Sequence, residues 1–161
     1  ERGFYQDVRF GFVLLSEIGG RALSAAINDP GTAIQVIGSA TRLLHYWSKG
    51  MKKQIPSQTL KFPRLGVKPL AFAEVFQDFF APISRDGAGF VEVDLKAVRS
   101  LNSLALYDEL HFSQPSRDQA ALFQERAAAA LKTNSERSQL TKIQTSPTTL
   151  SSSTAQPSKN T

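Results

Sequence analysis

The 161-residue chain has no cysteine, a single tryptophan and only two histidines. Without cysteine, disulfides and thiolate metal sites are excluded. His45 and His111 stand too far apart in sequence to suggest a histidine-based metal cluster, so no metal is expected and no cofactor motif is present. No run of about 18 apolar residues occurs, and the start carries no charged-apolar-small leader pattern. The chain therefore reads as soluble in itself, and its first residue, Glu1 in place of Met, predicts a piece of something longer. Acidic residues are missing from a long interval. None lies between Asp29 and Glu74, where Arg42, Lys49, Lys52, Lys53, Lys61, Arg64 and Lys68 all fall. Such a one-sided stretch in a chain of net charge +5 suits an anionic partner or a solvated loop.

The apolar residues that are present recur at helical spacing. Val8, Phe12, Leu15, Ile18, Ala22 and Ala26 predict a first helix over 8–27, widened by Phe10, Val13, Leu14 and Leu23 into a face suited to a bundle interior. Gly19 and Gly20 inside it would each cost about 1 kcal/mol relative to alanine at an exposed site, so they imply a close helix neighbour or a bend. Ala33, Val36, Ile37, Ala40, Leu43, Leu44 and Trp47 mark a second helix over 30–49, stopped by Gly50, with His45 on its wetter side between Arg42 and Lys49. Pro56, Pro63 and Pro69 predict a loop or short hairpin after it. A phenylalanine stripe (Phe72, Phe76, Phe79, Phe80) predicts a third helix over 70–81, ended by Pro82, and Val91 to Ala105 a fourth over 91–109. A fifth is expected over 117–132, with Ser116 as its cap and Gln119 completing a capping box. Fourteen of the 29 residues from Thr133 to Thr161 are Ser or Thr, which predicts a disordered tail over 133–161. The expected fold class is all-α: a five-helix bundle-like domain over 1–132.

Chemistry is harder to find. No serine or threonine stands near a histidine and an acid in a way that suggests a nucleophile and its base. Asp108 and Glu109 are adjacent and would point about 100° apart on a helix. The glycines of "GAG" at 87–89 lack the setting of a phosphate loop. Basic residues with Phe62, Tyr46 and Trp47 nearby leave nucleic-acid binding as a minor alternative, unsupported by any recognition motif. No catalytic residue is assigned, and the chain is not expected to be an enzyme.

One stretch, "ALSAAINDPGTA" (residues 22–33), combines a helix break with polar side chains. Asp29 before Pro30 should be extended and so end the first helix near Ile27, and its carboxylate can cap the second helix, in which Pro30 occupies the first position. Arg21, Ser24, Asn28, Asp29 and Thr32 are then either parts of a capped joint, including a buried Arg21–Asp29 pair, or the lining of a small-molecule or ion site.

The same stretch carries a resemblance. Arg2, Gln6, Asp7, Phe10, Gly11, then Arg21-Ala22-Leu23-Ser24, then Asn28-Asp29-Pro30 with Thr32 and Ala33, resemble the signature of the domain-of-unknown-function 2254 family of predicted bacterial membrane proteins. Ala25 departs from the pattern, which commonly has proline there. The resemblance implies spanning helices elsewhere in the parent protein, a place at the cell inner membrane and no known activity. In that setting this segment would be a cytoplasmic domain serving assembly, regulation or sensing. Its partners would be its own spanning region, an anionic lipid surface or a second copy, with Arg42, Lys49, Lys52, Lys53, Lys61, Arg64 and Lys68 as the anionic-surface contacts.

Overall fold

The computed structural model describes residues 7–52 and 70–145. They form six helices: α1 (Val8–Ala22), α2 (Pro30–Lys52), α3 (Phe72–Gly87), α4 (Val91–Tyr107), α5 (Glu109–Ala130) and α6 (Asn134–Thr145). The fold is all-α, as the hydrophobic periodicity predicts. The expected loop or hairpin after α2, with Lys53, Lys61, Arg64 and Lys68, lies outside the described residues.

Five helices close a ring in which α1 packs on α2 and α3, α2 on α4, α4 on α5, and α5 on α3, while α6 leans mainly on α4. Side-chain pairs set the directions. Phe12 meets Trp47 and Gly19 approaches Val36, so α1 and α2 are antiparallel. Ser16 donates to the Phe79 carbonyl and Gly19 abuts Ile83, so α1 and α3 run together. The starts of α1, α3 and α5 thus share one end of the bundle, here called the basal end, with the finishes of α2 and α4.

The core is phenylalanine-rich. Phe76, Phe79, Phe80, Phe112 and Phe123 are fully buried, and edge-on or tilted ring contacts join Phe79 to Phe12, Phe76 to Phe112, and Phe80 to Phe123. Each such side chain contributes roughly 1.5–3 kcal/mol by leaving water. The expected close approach at Gly19 is present: a Cβ there would lie 3.2 Å from Ile83 Cδ1 and 3.6 Å from Val36 Cγ1. Gly19 is where three helices meet.

Several boundaries differ from the sequence expectation, each for a physical reason. The first helix ends at Ala22, not Ile27, because Leu23 turns inward and Asp29 N–H donates back to the Ala22 carbonyl at 2.8 Å. The second passes through Gly50 to Lys52. The third continues through Pro82 to Gly87, because Ile83, Ser84 and Gly87 stay buried beyond the proline. The guanidinium of Arg126 donates at 2.6 Å to both the Ala81 carbonyl and Ser84 Oγ beside that proline. The fourth stops at Tyr107. The fifth begins at Glu109, eight residues earlier than expected, and carries Pro115 in its interior. Its cap is Asp108, so the expected capping box of Ser116 and Gln119 is incorrect: both are buried on the inner face with Phe112, Phe123 and Ala127. A proline inside a helix costs about 3 kcal/mol, and this uninterrupted buried face offsets it.

The tail expectation also needs correction over 134–145, which form α6. Thr133 and Glu136 cap that helix reciprocally: Glu136 Oε2 accepts from the Thr133 N–H and hydroxyl, and Thr133 Oγ1 accepts from the Glu136 N–H. Leu140 is buried, Ile143 packs on the core, and Arg137 donates to the Leu131 carbonyl at 2.6 and 3.0 Å.

Candidate functional site

At the joint between α1 and α2 the side chains of Ser24, Asp29 and Thr32 are engaged in hydrogen bonds within the turn. Asp29 Oδ1 accepts from the Thr32 N–H at 3.0 Å, and Asp29 Oδ2 from the Thr32 hydroxyl at 2.6 Å. The Thr32 hydroxyl, then its N–H, hold the Asp29 carboxyl below the usual aspartate range. Ser24 Oγ donates to the Arg21 carbonyl at 2.7 Å, and the Ser24 carbonyl accepts from the Ile27 and Asn28 N–H groups. Asn28 has φ 51°, a left-handed conformation that asparagine tolerates. Four of the five candidates thus build the turn, and only the Arg21 side chain is unused by it. Arg21 and Asp29 are both exposed and form no ion pair, so the expected buried pair is absent. A groove of about 580 Å³ runs beside them, lined by Leu14, Glu17, Ile18, Arg21, Ile27, Asp29 and Thr32 among others.

The basal end holds a second polar constellation. Asp108, 2% exposed, caps α5 and accepts from the Ser48 hydroxyl at 2.5 Å through Oδ2 and from His111 Nδ1 at 3.0 Å through Oδ1. Burial pushes its carboxyl up, but the Ser48 and His111 hydrogen bonds outweigh that and hold it below the usual range. The residue types are those of a hydrolytic triad, in the wrong order. A nucleophilic serine must bond the imidazole, which the acid then orients from its far side. Here the acid sits between serine and histidine, and Ser48 is fully buried. The arrangement locks the end of α2 to the α4–α5 corner. Sequence reasoning missed it because Ser48 and Asp108 are 60 positions apart; the local signal was Asp108 followed three residues later by His111, an Asp-cap spacing.

Around that lock the surface is aromatic and apolar. Trp47 stacks on Phe12 and lies 4.8 Å from Phe72, whose ring meets His111 at 5.4 Å. His45 lies 4.3 Å from the Tyr107 ring, and its Nε2 is buried without a hydrogen-bond partner among the described residues. His45 is half-buried, not the surface histidine expected, and that burial lowers its pKa. Of the eight exposed large apolar side chains among the described residues, six belong to the parts of α1, α2, α4 and α5 nearest this end: Val8, Leu43, Tyr46, Leu106, Tyr107 and Leu110. An apolar groove of about 610 Å³ opens between α1 and α2, with Phe12, Leu15, Trp47 and Met51 in its walls.

Of the basic candidates, Arg42, Lys49 and Lys52 are exposed on α2. Arg42 donates to Ser39 Oγ, and Lys52 Nζ donates to the Tyr107 carbonyl at 3.0 Å while lying 4.9 Å from the Tyr107 ring centre. No group of three or more His, Asp or Glu able to hold a metal ion occurs among the described residues, and no described helix is long and apolar enough to cross a membrane.

Among curated proteins, the chain is similar to several described as uncharacterized, among them Rv1290c of Mycobacterium tuberculosis and Mb1321c of Mycobacterium bovis. Each is 57% identical over 37 residues, which is 23% of this chain and 7% of the relative. The match thus spans far less than two thirds of either relative. No solved structure matches the chain significantly. The model of the family described as predicted membrane protein, DUF2254, matches residues 1–103, including the whole joint, and the chain therefore belongs to that family of predicted membrane proteins.

Proposed function

We propose that this chain is an extramembrane helical domain of a membrane protein, on the cytoplasmic side of the inner membrane, with an assembly, regulatory or sensing role and no chemistry of its own. The observation that carries the reading is the use of its polar clusters in a family of membrane proteins. Ser24, Asn28, Asp29 and Thr32 hold the joint, and Ser48, Asp108 and His111 hold the basal corner, so each cluster has a structural task. With the basal end close to the spanning region, the exposed Arg42, Lys49 and Lys52 would act as the basic flank that favours the cytoplasmic side. Its nearest partner would be its own spanning region. Sealed vesicles carrying the intact membrane protein test the placement. Protease should release a helical fragment containing this segment from inside-out vesicles and not from right-side-out ones. Protection in both orientations would refute an extramembrane position.

A second reading takes support from Arg21, whose exposed guanidinium stands on the rim of the 580 Å³ groove and is not used by the joint. In that reading the groove binds a small anion or small molecule. Arg21→Ala should then abolish ligand-dependent stabilisation without lowering the melting temperature of the free protein; identical ligand-dependent melting in both forms would eliminate it.

A further inference from the structure

Among the described residues, the six exposed apolar side chains toward the basal end keep much of their surface uncovered, Tyr107 even though His45 and Lys52 lie against its ring. Leu110 is 86% exposed, Tyr46 80% and Leu106 61%, values unusual for such residues clustered toward one end of a closed bundle. Lysines accompany them. Lys49 and Lys52 are exposed one helical turn or less from Tyr46 and Met51, and Lys52 folds over Tyr107. Most acids of this end are engaged: Glu74 and Asp78 bind Arg9, Asp7 caps α1, and Asp108 is buried in its lock. Glu109 is exposed beside Leu110.

Apolar tips, tyrosines with a hydroxyl at the end of an apolar ring, and lysines on long aliphatic stems match the layered chemistry of a bilayer surface. There the rings and leucines enter the boundary between headgroups and acyl chains, while ammonium groups remain among phosphates. Self-association suits this face less well. A two-fold contact brings two copies of the same patch together, and with Lys49 and Lys52 against Glu109, the single exposed acid described at this end, both copies carry a net positive charge.

We infer that the basal end of the bundle docks on the headgroup region of an anionic bilayer, with Tyr46, Tyr107 and Leu110 inserted and Lys49 and Lys52 against the acidic headgroups. This inference rests on the extramembrane reading above and adds an orientation to it: the bundle stands end-on, with the α1–α2 joint and α6 directed away from the lipid.

The test uses the 161-residue chain and sedimentation with vesicles of phosphatidylcholine, with and without phosphatidylglycerol. Binding should be at least about tenfold stronger on the anionic vesicles, and the emission of Trp47, the single tryptophan, should shift to the blue on binding. Tyr46→Ser with Leu110→Ser should weaken binding by roughly tenfold or more, as expected for removing apolar area from an interface. Lys49→Glu should weaken it and Glu109→Lys strengthen it, each by several-fold on the order of one surface charge. Ile27→Ser, at the opposite end, should leave it unchanged. Helix content and melting temperature identify any variant that has lost its fold, and the oppositely directed Lys49 and Glu109 changes cannot both arise from misfolding. Equal binding to neutral and anionic vesicles, or indifference to all the basal variants, would overturn the inference. So would concentration-dependent dimers that Leu110→Ser dissociates, since a second copy would then cover the face. Such a failure leaves the protease result of the preceding section standing; protection from protease on both sides removes the extramembrane reading itself.

Discussion

Asp94 is the side chain whose environment departs furthest from its chemistry. It is fully buried near the start of α4, and neither carboxylate oxygen has a hydrogen-bond partner among the described residues. Burial first, then the neighbouring Glu92 charge, pushes its pKa up to about 8 from the usual 3.8. Between those values the folded chain holds a proton that the unfolded chain releases, so stability falls as pH rises from about 4 to about 8 and changes no further above that. Each pH unit in the interval removes at most about 1.4 kcal/mol. Asp94→Asn should flatten this slope and leave the variant more stable than the parent at pH about 8 by a few kcal/mol. Thermal melts of both across that range would measure it, and the difference between them isolates Asp94 from His45, whose lowered pKa acts in the opposite direction as pH falls. At the joint, Asp29→Asn should keep the melting temperature near that of the parent because asparagine also caps, whereas Asp29→Ala should lower it. Equal melting of all three would show that the cap contributes nothing. Residues were legible in the sequence where their task is local. Asp29, Pro30 and Thr32 are read directly from the cap spacing, whereas Asp94 and the Ser48–Asp108 bond depend on helices far apart in sequence.

Helices were predicted well by their buried stripes and poorly by their punctuation. Gly50 and Pro82 read as stops and Pro115 stands just before the expected start of the fifth helix, yet α2, α3 and α5 run through them. In α5 the inner face Phe112, Ser116, Gln119, Phe123 and Ala127 keeps its helical spacing across the proline, so packing decides against local propensity. Composition misled in the opposite direction at α6, where abundant Ser and Thr concealed a Thr133–Glu136 capping box and two apolar anchors, Leu140 and Ile143. Of the two explanations that Gly19 admits in the sequence, a close helix neighbour or a bend, the close neighbour is the one present. Replacing Gly19 tests how tightly three helices meet there. Gly19→Val should destabilise the bundle by roughly 1–3 kcal/mol, since the added methyl groups would press on Ile83 and Val36. Urea unfolding would report this as a lower midpoint; a variant as stable as the parent would mean that α1 can move away from α3 freely.

At the scale of the whole molecule, the ring of α1, α2, α4, α5 and α3 has two unlike ends. Toward the joint, Ile18 and Ile27 are the two exposed large apolar side chains among the described residues, whereas the basal end gathers tyrosines, leucines and lysines around a locked aromatic layer. That asymmetry was only partly visible beforehand. The basic run without acids stands out in the sequence, but which apolar residues accompany it depends on α4 finishing beside α2, a contact that no local pattern encodes. Family membership places the chain among predicted membrane proteins, and the asymmetry proposes which way it faces. Because the chain has no cysteine, single nitroxide labels can be introduced through Tyr46→Cys, Leu110→Cys, Ile27→Cys and Ala128→Cys. Electron paramagnetic resonance then compares collisions with oxygen, which concentrates in lipid, and with a water-soluble nickel chelate, for the chain bound to phosphatidylglycerol vesicles. End-on docking predicts that labels at 46 and 110 favour oxygen while those at 27 and 128 favour nickel; nickel accessibility at all four sites, or lipid immersion at 27 and 128, would contradict it.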